Sequence, residues 1–258
     1  MHINSFWIGN FSKLEHLTLE SFTRHGHEFH LWMYDAPSIT LPKKVVIRDA
    51  NEILPKERIF RYKGLGDCRK DSLGGFSDLF RYYLLYKQGG WYVDMDVTCL
   101  ESFDSLNQPY VFRRHKTCGT VANIIKCPKE SPFLLPLIAE TEEKITEDNS
   151  NWVLPLEIFN EHIIKNNLTQ YMIDNKYFGD DSYEKLKLIK YGIYFLIKDT
   201  LPQKAIHWCR EASHGRWDYT MRYNWDSPPP LTPYYNLLCE YKLLSRPEES
   251  LTLKTLHF

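Results

Sequence analysis

Phe76-Ser77-Asp78-Leu79-Phe80-Arg81-Tyr82-Tyr83-Leu84-Leu85-Tyr86-Lys87-Gln88-Gly89-Gly90-Trp91-Tyr92-Val93-Asp94-Met95-Asp96-Val97 is the stretch on which the reading of this chain turns. Phe76 to Lys87 has helical periodicity, with Leu79, Tyr82, Tyr83 and Tyr86 available for packing. Gln88-Gly89-Gly90 stops that helix, and the apolar run Trp91–Val97 reads as a strand. Side chains alternate faces along a strand, so Asp94 and Asp96 are expected to point at one spot at the strand's end. Paired hard oxygen ligands there suit Mn²⁺ or Mg²⁺. Asp78 and Arg81, at i, i+3, share one helix face. A tight Gly-Gly turn folds that face toward the two acids, and a carboxylate beside a forked guanidinium is good equipment for holding sugar hydroxyls.

Outward from this block the pattern is strand–helix–strand. Ile3 to Ile8 reads as a short strand ended by Gly9-Asn10. Ser12-Lys13-Leu14-Glu15 has the form of a capping box, and Gly26 closes the helix that follows. Phe29–Tyr34 and Val45–Ile47 are two further strands, the start of a mostly parallel sheet. Farther on, Pro109–Phe112 is a strand, Ser131–Ile145 and Leu156–Asn166 are helices, and Ile189–Ile197 is strand-like. Pro228-Pro229-Pro230 makes a rigid break before a segment rich in Leu and Tyr. Without repeats or an evident linker, one α/β domain over 1–258 is expected. It divides into a 1–100 half, a 101–227 half and a 228–258 C-terminal segment.

Composition limits the function classes. The 258 residues carry a formal net charge of −1 and no run of five basic residues, which argues against a nucleic-acid partner. The six cysteines, at 68, 99, 118, 127, 209 and 239, form no C-x-x-C pair, and reduced thiols in a cytoplasmic protein are expected. Neither a signal peptide nor a membrane-spanning run is expected. Tyr234–Leu256 could pack onto the core or lie against a membrane as a peripheral contact.

The Phe76–Asp96 block, with Ser-Asp-x-x-Arg, Gly-Gly and Asp-x-Asp in order, resembles the central signature of a family of D-x-D glycosyltransferases. That family includes bacterial capsule and lipopolysaccharide sugar transferases and fungal initiating α-1,6-mannosyltransferases. Catalytic domains of large clostridial glucosylating toxins are similar in the same region. Phe6-Trp7-Ile8-Gly9 and Leu31-Trp32-Met33-Tyr34-Asp35 resemble the family's first two strands, and Ala205-Ile206-His207-Trp208 with Glu211, Ser213 and Trp217 resembles its closing segment.

The resemblance implies a GT-A fold: a Rossmann-like, mostly parallel central sheet with flanking helices and helical insertions. It implies a metal-dependent, retaining hexosyltransferase that moves glucose, galactose or an N-acetylated relative from a nucleotide-sugar donor, UDP-linked in the first instance. The acceptor would be a glycan or lipid-linked glycan in surface polysaccharide synthesis, with action in the cytoplasm or at the inner face of its membrane. Asp96 would hold the metal directly, Asp94 would contact the ribose and the sugar or bind the metal through water, and Glu211, Ser213 and His207 would be further ligands. Asp78 and Arg81 would orient the sugar. Trp7 would stack on the base, and Ile8, Gly9, Tyr34, Asp35, Ser77, Tyr92, Ser213 and Trp217 would border the donor. The stretched spacing around His214-Gly215-Arg216 leaves the choice among His207, Glu211, Ser213 and His214 open. A toxin-like effector acting on a host protein is the alternative with the same catalytic signature. A metal-dependent phosphohydrolase would need nucleophile partners that the chain does not display, and a non-catalytic carbohydrate binder would not need all four of Asp78, Arg81, Asp94 and Asp96.

Overall fold

A computed structural model of the chain describes residues 2–37, 39–65, 69–179, 183–210 and 223–246. Strand β1 (His2–Phe6), helix α1 (Lys13–Arg24), β2 (Glu28–Met33) and β3 (Val45–Asp49) form the first unit. Helix α2 (Gly74–Gln88) then leads through Gly89 into β4 (Gly90–Val93) and β5 (Val97–Cys99). Strands β6 (Val111–His115) and β7 (Gly119–Cys127) make a hairpin, followed by helices α3 (Leu134–Lys144) and α4 (Leu154–Lys165). The rest is β8 (Met172–Ile173), α5 (Asn175–Phe178), α6 (Tyr183–Tyr191), α7 (Tyr194–Ile197), β9 (Ala205–His207) and α8 (Pro233–Glu240).

Seven strands form the central sheet in the order β3-β2-β1-β4-β7-β6-β8. Strands β1 to β4 pair in parallel, β7 runs antiparallel to both β4 and β6, and β8 pairs parallel to β6. The expected mostly parallel sheet is therefore present, with β7 as its reversed strand. Period-two alternation divides the side chains between two layers. Phe6 and Tyr92 face the cluster built with Phe76, Leu79, Phe80, Leu134 and Phe159 of α2, α3 and α4. Ile3, Trp91 and Val93 face the other side with Leu19 and Phe22 of α1. Between them, Asn4 is fully buried and spans three strands: its Nδ2 donates to the Trp91 carbonyl and its Oδ1 accepts from Trp32 Nε1.

Local signals placed the first elements well. Ser12 and Glu15 make both hydrogen bonds of the capping box that starts α1. The Gly-Gly turn is required by the backbone. Gly89 has φ +66° and Gly90 φ +80°, and a Cβ on Gly89 would lie 2.5 Å from the Lys129 nitrogen.

Three expectations are corrected. Asp94-Met95-Asp96 does not continue the strand: β4 ends at Val93, and the Val97 N–H donates to the Asp94 carbonyl at 3.2 Å, closing a turn before β5. Ile189–Ile197 is helical, split into α6 and α7 by Gly192, with Ile189 and Tyr191 packed on the cluster around Trp208 and Tyr234. An apolar run of that length fits either state, and tertiary packing decides it. Between residues 113 and 130 no strand was expected, yet β7, nine residues long, lies in the middle of the sheet.

Helix α8 packs Tyr234, Leu237 and Leu238 against Leu14, Leu17 and Trp208, so 233–240 serves the core. No described helix is long and apolar enough to cross a membrane. Substituting Gly89→Ala should cost about 2–4 kcal/mol, from left-handed strain added to the Lys129 clash; urea denaturation measures this, and an unchanged midpoint would show that the turn tolerates a side chain.

Candidate active site

In open α/β sheets, ligands bind beyond the carboxyl ends of the strands, where the strand order reverses. Here that point lies between β1 and β4, since the chain leaves β1 toward β2 on one side and returns to β4 on the other. Trp7 and Ile8 follow β1, and Asp94 follows β4. A cavity of about 630 Å³ opens at this place. It is lined by Trp7, Ile8, Ser77, Asp78, Arg81, Asp94, Asp96 and His207 among the residues expected from the sequence.

The N-terminal part of α2 faces this cavity. Arg81 is the centre of its charge arrangement, although it is only 6% exposed. Its NH2 lies 3.0 Å from Asp94 Oδ1 and its NH1 3.3 Å from Asp78 Oδ1. Ser77 accepts from the same guanidinium through its carbonyl and its hydroxyl, and the Tyr92 ring lies 5.0 Å away. Burial opposes the charge on Arg81, but Asp94, Tyr92 and Asp78 outweigh it and hold the guanidinium firmly protonated. The expected Asp78–Arg81 pair thus exists and extends to Asp94. A surface i, i+3 pair would contribute little, whereas this one is a buried bridge between helix and turn.

Asp94 and Asp96 meet His207 from the other side. Strand β9 pairs antiparallel with β5, with Val97 opposite His207. The ring then stands beside the turn, its Nε2 3.3 Å from Asp96 Oδ1. Cys209, at φ +50°, turns the chain so that the Arg210 N–H donates to Asp96 Oδ2 at 2.8 Å. Strain of this kind is stored where surrounding contacts over-determine it. Those contacts include the Trp208 N–H to the Asp96 carbonyl and an ion pair between Arg210 and Glu15 of the α1 capping box. The Arg210 guanidinium also lies 5.2 Å from the Trp7 ring.

Two carboxylates and an imidazole whose ligand atoms lie within 4.8 Å of one another make a donor set for a divalent cation. The chemistry of this set fits Mn²⁺ or Mg²⁺. Among the other expected ligands and donor contacts, Glu211, Ser213, His214 and Trp217 lie outside the described residues.

Four expected donor contacts are not at the cavity. Gly9 is exposed, and its carbonyl accepts from Trp7 Nε1. Tyr34 turns into the core against Phe6, with its hydroxyl donating to the Leu54 carbonyl. Asp35 is on the surface, paired with Lys56. Tyr92 is fully buried, because the even positions of β4 face the helix layer. Conversely, Asn123 on β7, Arg210, and an outer wall of Arg61, Lys70 and Trp152 line the cavity without having been singled out. No local motif marks them; β7 pairing with β4 brings in Asn123, the chain after β9 brings in Arg210, and Trp152 packs on Tyr62.

The environment of Asp94 opposes its ordinary ionised state. Burial, opposed by Arg81 and reinforced by the charge of Asp96, pushes its carboxyl up to about 6. Burial raises Asp78 as well. A carboxyl whose native value exceeds its unfolded one holds its proton more tightly when folded. Its ionised form therefore costs stability at neutral pH, and that cost is relieved as pH falls through 6 toward the ordinary value near 3.8. In the metal-free protein the Asp94 contribution should thus rise in stability between pH 7 and 4, and Asp94→Asn should flatten that part of the profile. Thermal unfolding across this range measures it, and parallel wild-type and variant profiles would contradict it.

Comparisons with known proteins agree with this geometry. Residues 23–113 match the family described as "Glycosyltransferase sugar-binding region containing DXD motif". Inositol phosphoceramide mannosyltransferase 3 of Schizosaccharomyces pombe is 40% identical over 63 residues, which are 24% of this chain and 18% of that relative. The match therefore spans under a fifth of the curated protein. Among solved structures, the apo-form glycosyltransferase GlyE of Streptococcus pneumoniae TIGR4 superposes with a TM-score of 0.53 at 14% identity, covering 94% of this chain and 60% of that one. The galactosyltransferase LgtC, solved with donor and acceptor sugar analogues, gives 0.51 at 10% identity, covering 96% and 98%. At those identities the likeness is one of fold, the α/β GT-A architecture with its central sheet and flanking helices. Over residues 23–113 the chain is similar to the sugar-binding region of glycosyltransferases that contain the DXD motif.

Proposed function

We propose that the protein is a metal-dependent, retaining hexosyltransferase that takes its sugar from a nucleotide-sugar, UDP-linked in the first instance, and passes it to a glycan or lipid-linked glycan. The observation that carries this reading is the convergence of Asp94, Asp96 and His207 on one point beside the Arg81 network, in the cavity at the sheet's switch point. A Mn²⁺ or Mg²⁺ ion held there would neutralise the negative charge that develops on the departing diphosphate.

The chain's own residues divide the remaining work. Trp7, half-buried at the end of β1, offers an aromatic face for the base. Asp78 and Arg81 present an acceptor and forked donors to the sugar hydroxyls. Both Asp78 and Asp94 are engaged by Arg81 and so are poorly placed to act as nucleophiles. This supports a front-face transfer in which the departing phosphate oxygen takes the proton of the incoming hydroxyl.

The acceptor would enter along the other wall. There Trp152 packs edge-on to Tyr62, beside the apolar surface of Val121, Ala122, Pro155 and Leu156. A ring such as Trp152 suits a sugar face. The exposed Arg61 and Lys70 beside it favour an acceptor that carries phosphate, the class for which the fission-yeast relative is named. We place the reaction in the cytoplasm or at the inner face of its membrane, where Cys99, Cys118, Cys127, Cys209 and Cys239, none in a disulfide, would remain reduced.

Two measurements test the donor side. Mn²⁺-dependent hydrolysis, screened over UDP-linked hexoses, should fall about 10²–10³-fold in Asp96→Ala; equal turnover in the two proteins would remove the metal assignment. Trp7→Ala should weaken UDP binding by about 1–3 kcal/mol in calorimetry without shifting the unfolding midpoint. Unchanged affinity would make Trp7 a packing residue.

A further inference from the structure

His207 presents Nε2 to Asp96 and turns its other nitrogen, Nδ1, into the fold. Among the described residues, Asn123 Nδ2 at 2.7 Å, Cys209 Sγ at 3.1 Å and Arg113 NH1 at 3.5 Å meet that second nitrogen. A cation takes the lone pair of a neutral imidazole nitrogen, so the hydrogen must then sit on the opposite nitrogen and be accepted by something. Arg113 carries donors only, and a thiol is a weak acceptor. The Asn123 amide supplies a strong acceptor, its Oδ1, and that oxygen is buried without a hydrogen-bond partner.

With Nδ2 toward the ring, Nδ1 accepts and the hydrogen is on Nε2, facing Asp96. That tautomer leaves Nε2 without a lone pair for a cation. A half-turn of the Asn123 amide exchanges two atoms of nearly equal size. It brings Oδ1 to a protonated Nδ1 and leaves the Nε2 lone pair directed at the carboxylates. We propose that Asn123 is a positioning residue whose amide oxygen selects the His207 tautomer able to hold a divalent cation beside Asp94 and Asp96. The inference rests on the metal-dependent reading above.

Its place in the fold suits the task. Asn123 is 5% exposed near the middle of β7, and its backbone carbonyl accepts from the Asp94 N–H at 2.9 Å. One residue therefore grips the DXD turn through its backbone and the β9 imidazole through its side chain. Outer partners that orient a ligating histidine act in this way, and their loss typically costs about 10–100-fold in metal affinity.

Mn²⁺ affinity of the full chain, read without donor from the electron-paramagnetic signal of free Mn²⁺, tests the assignment. Asn123→Leu, which removes the acceptor, should bind about 10–100-fold more weakly, whereas Asn123→Asp, which keeps an acceptor in the same shape, should bind as tightly as wild type or tighter. A purely structural asparagine predicts the reverse order, because an aspartate there buries a charge. Wild-type affinity in Asn123→Leu, or equal loss in both variants, overturns the proposal. If Asn123→Leu does not fold, Asn123→Asp alone decides: wild-type or tighter Mn²⁺ affinity supports the proposal, and binding about 10–100-fold weaker overturns it. Unchanged affinity in His207→Ala would show instead that the metal-site reading itself has failed, and the proposal with it.

Discussion

The pairing of β5 with β9 is the constraint on which the site depends. It sets His207 opposite Val97, although 110 positions separate them in the chain. The extended chain beyond β9 then continues along the DXD turn, giving the Trp208 N–H to the Asp96 carbonyl and the Arg210 N–H to its carboxylate. Without that short ladder the two aspartates would be an acidic turn at the end of a central strand. With it they and His207 become three sides of a candidate cation site, the turn and β9 being held together by backbone hydrogen bonds. Trp208 anchors the ladder from behind, fully buried with its indole N–H donating to Thr98 Oγ1.

The same logic explains why buried charge is tolerated here. Arg81, Asp78 and Asp94 are an arrangement that a stability argument alone would not favour, because desolvation offsets much of the attraction. Burial holds the Asp94 carboxyl above its ordinary range. A cation beside Asp94 and Asp96 would offset that cost by favouring the ionised carboxylates. Anchoring runs outward as well: Arg210 reaches Glu15, itself one of the capping-box residues of α1, and connects the Asp96 side of the cavity to the first helix and to Trp7.

Much of the fold was readable because its first half is built from local rules. A capping box, a glycine pair and alternating apolar residues each specify their element with little help from the rest of the chain. The donor side of the site was readable for the same reason, since Ser77, Asp78, Arg81, Asp94 and Asp96 sit within one short block. What the sequence did not disclose is all non-local. Strand β7 has no turn signature that separates it from a loop, and its central place follows only from pairing with β4 and β6. Asp94 and Asp96 converge for a different reason from strand alternation: a turn closed by Val97 and flanked by β5 aims them together. Tyr34 and Tyr92 failed as donor contacts because a motif specifies neighbourhood in sequence and leaves the facing of each side chain to the sheet.

Asn123 illustrates where that boundary lies. In sequence it is one polar residue within Val121-Ala122-Asn123-Ile124-Ile125, and burial among apolar neighbours would by itself suggest a strand asparagine hydrogen-bonded within the core. The structure shows its side chain committed to a single imidazole and its oxygen buried without a donor. A buried polar atom left unsatisfied costs about 1–3 kcal/mol. The proposed half-turn of the amide gives that oxygen the Nδ1–H of His207 as its donor and puts the amide nitrogen where the oxygen was. The reversed strand β7 places an amide between the turn that presents the carboxylates and the strand that presents the imidazole, adding a side-chain contact to the backbone ladder that already joins them.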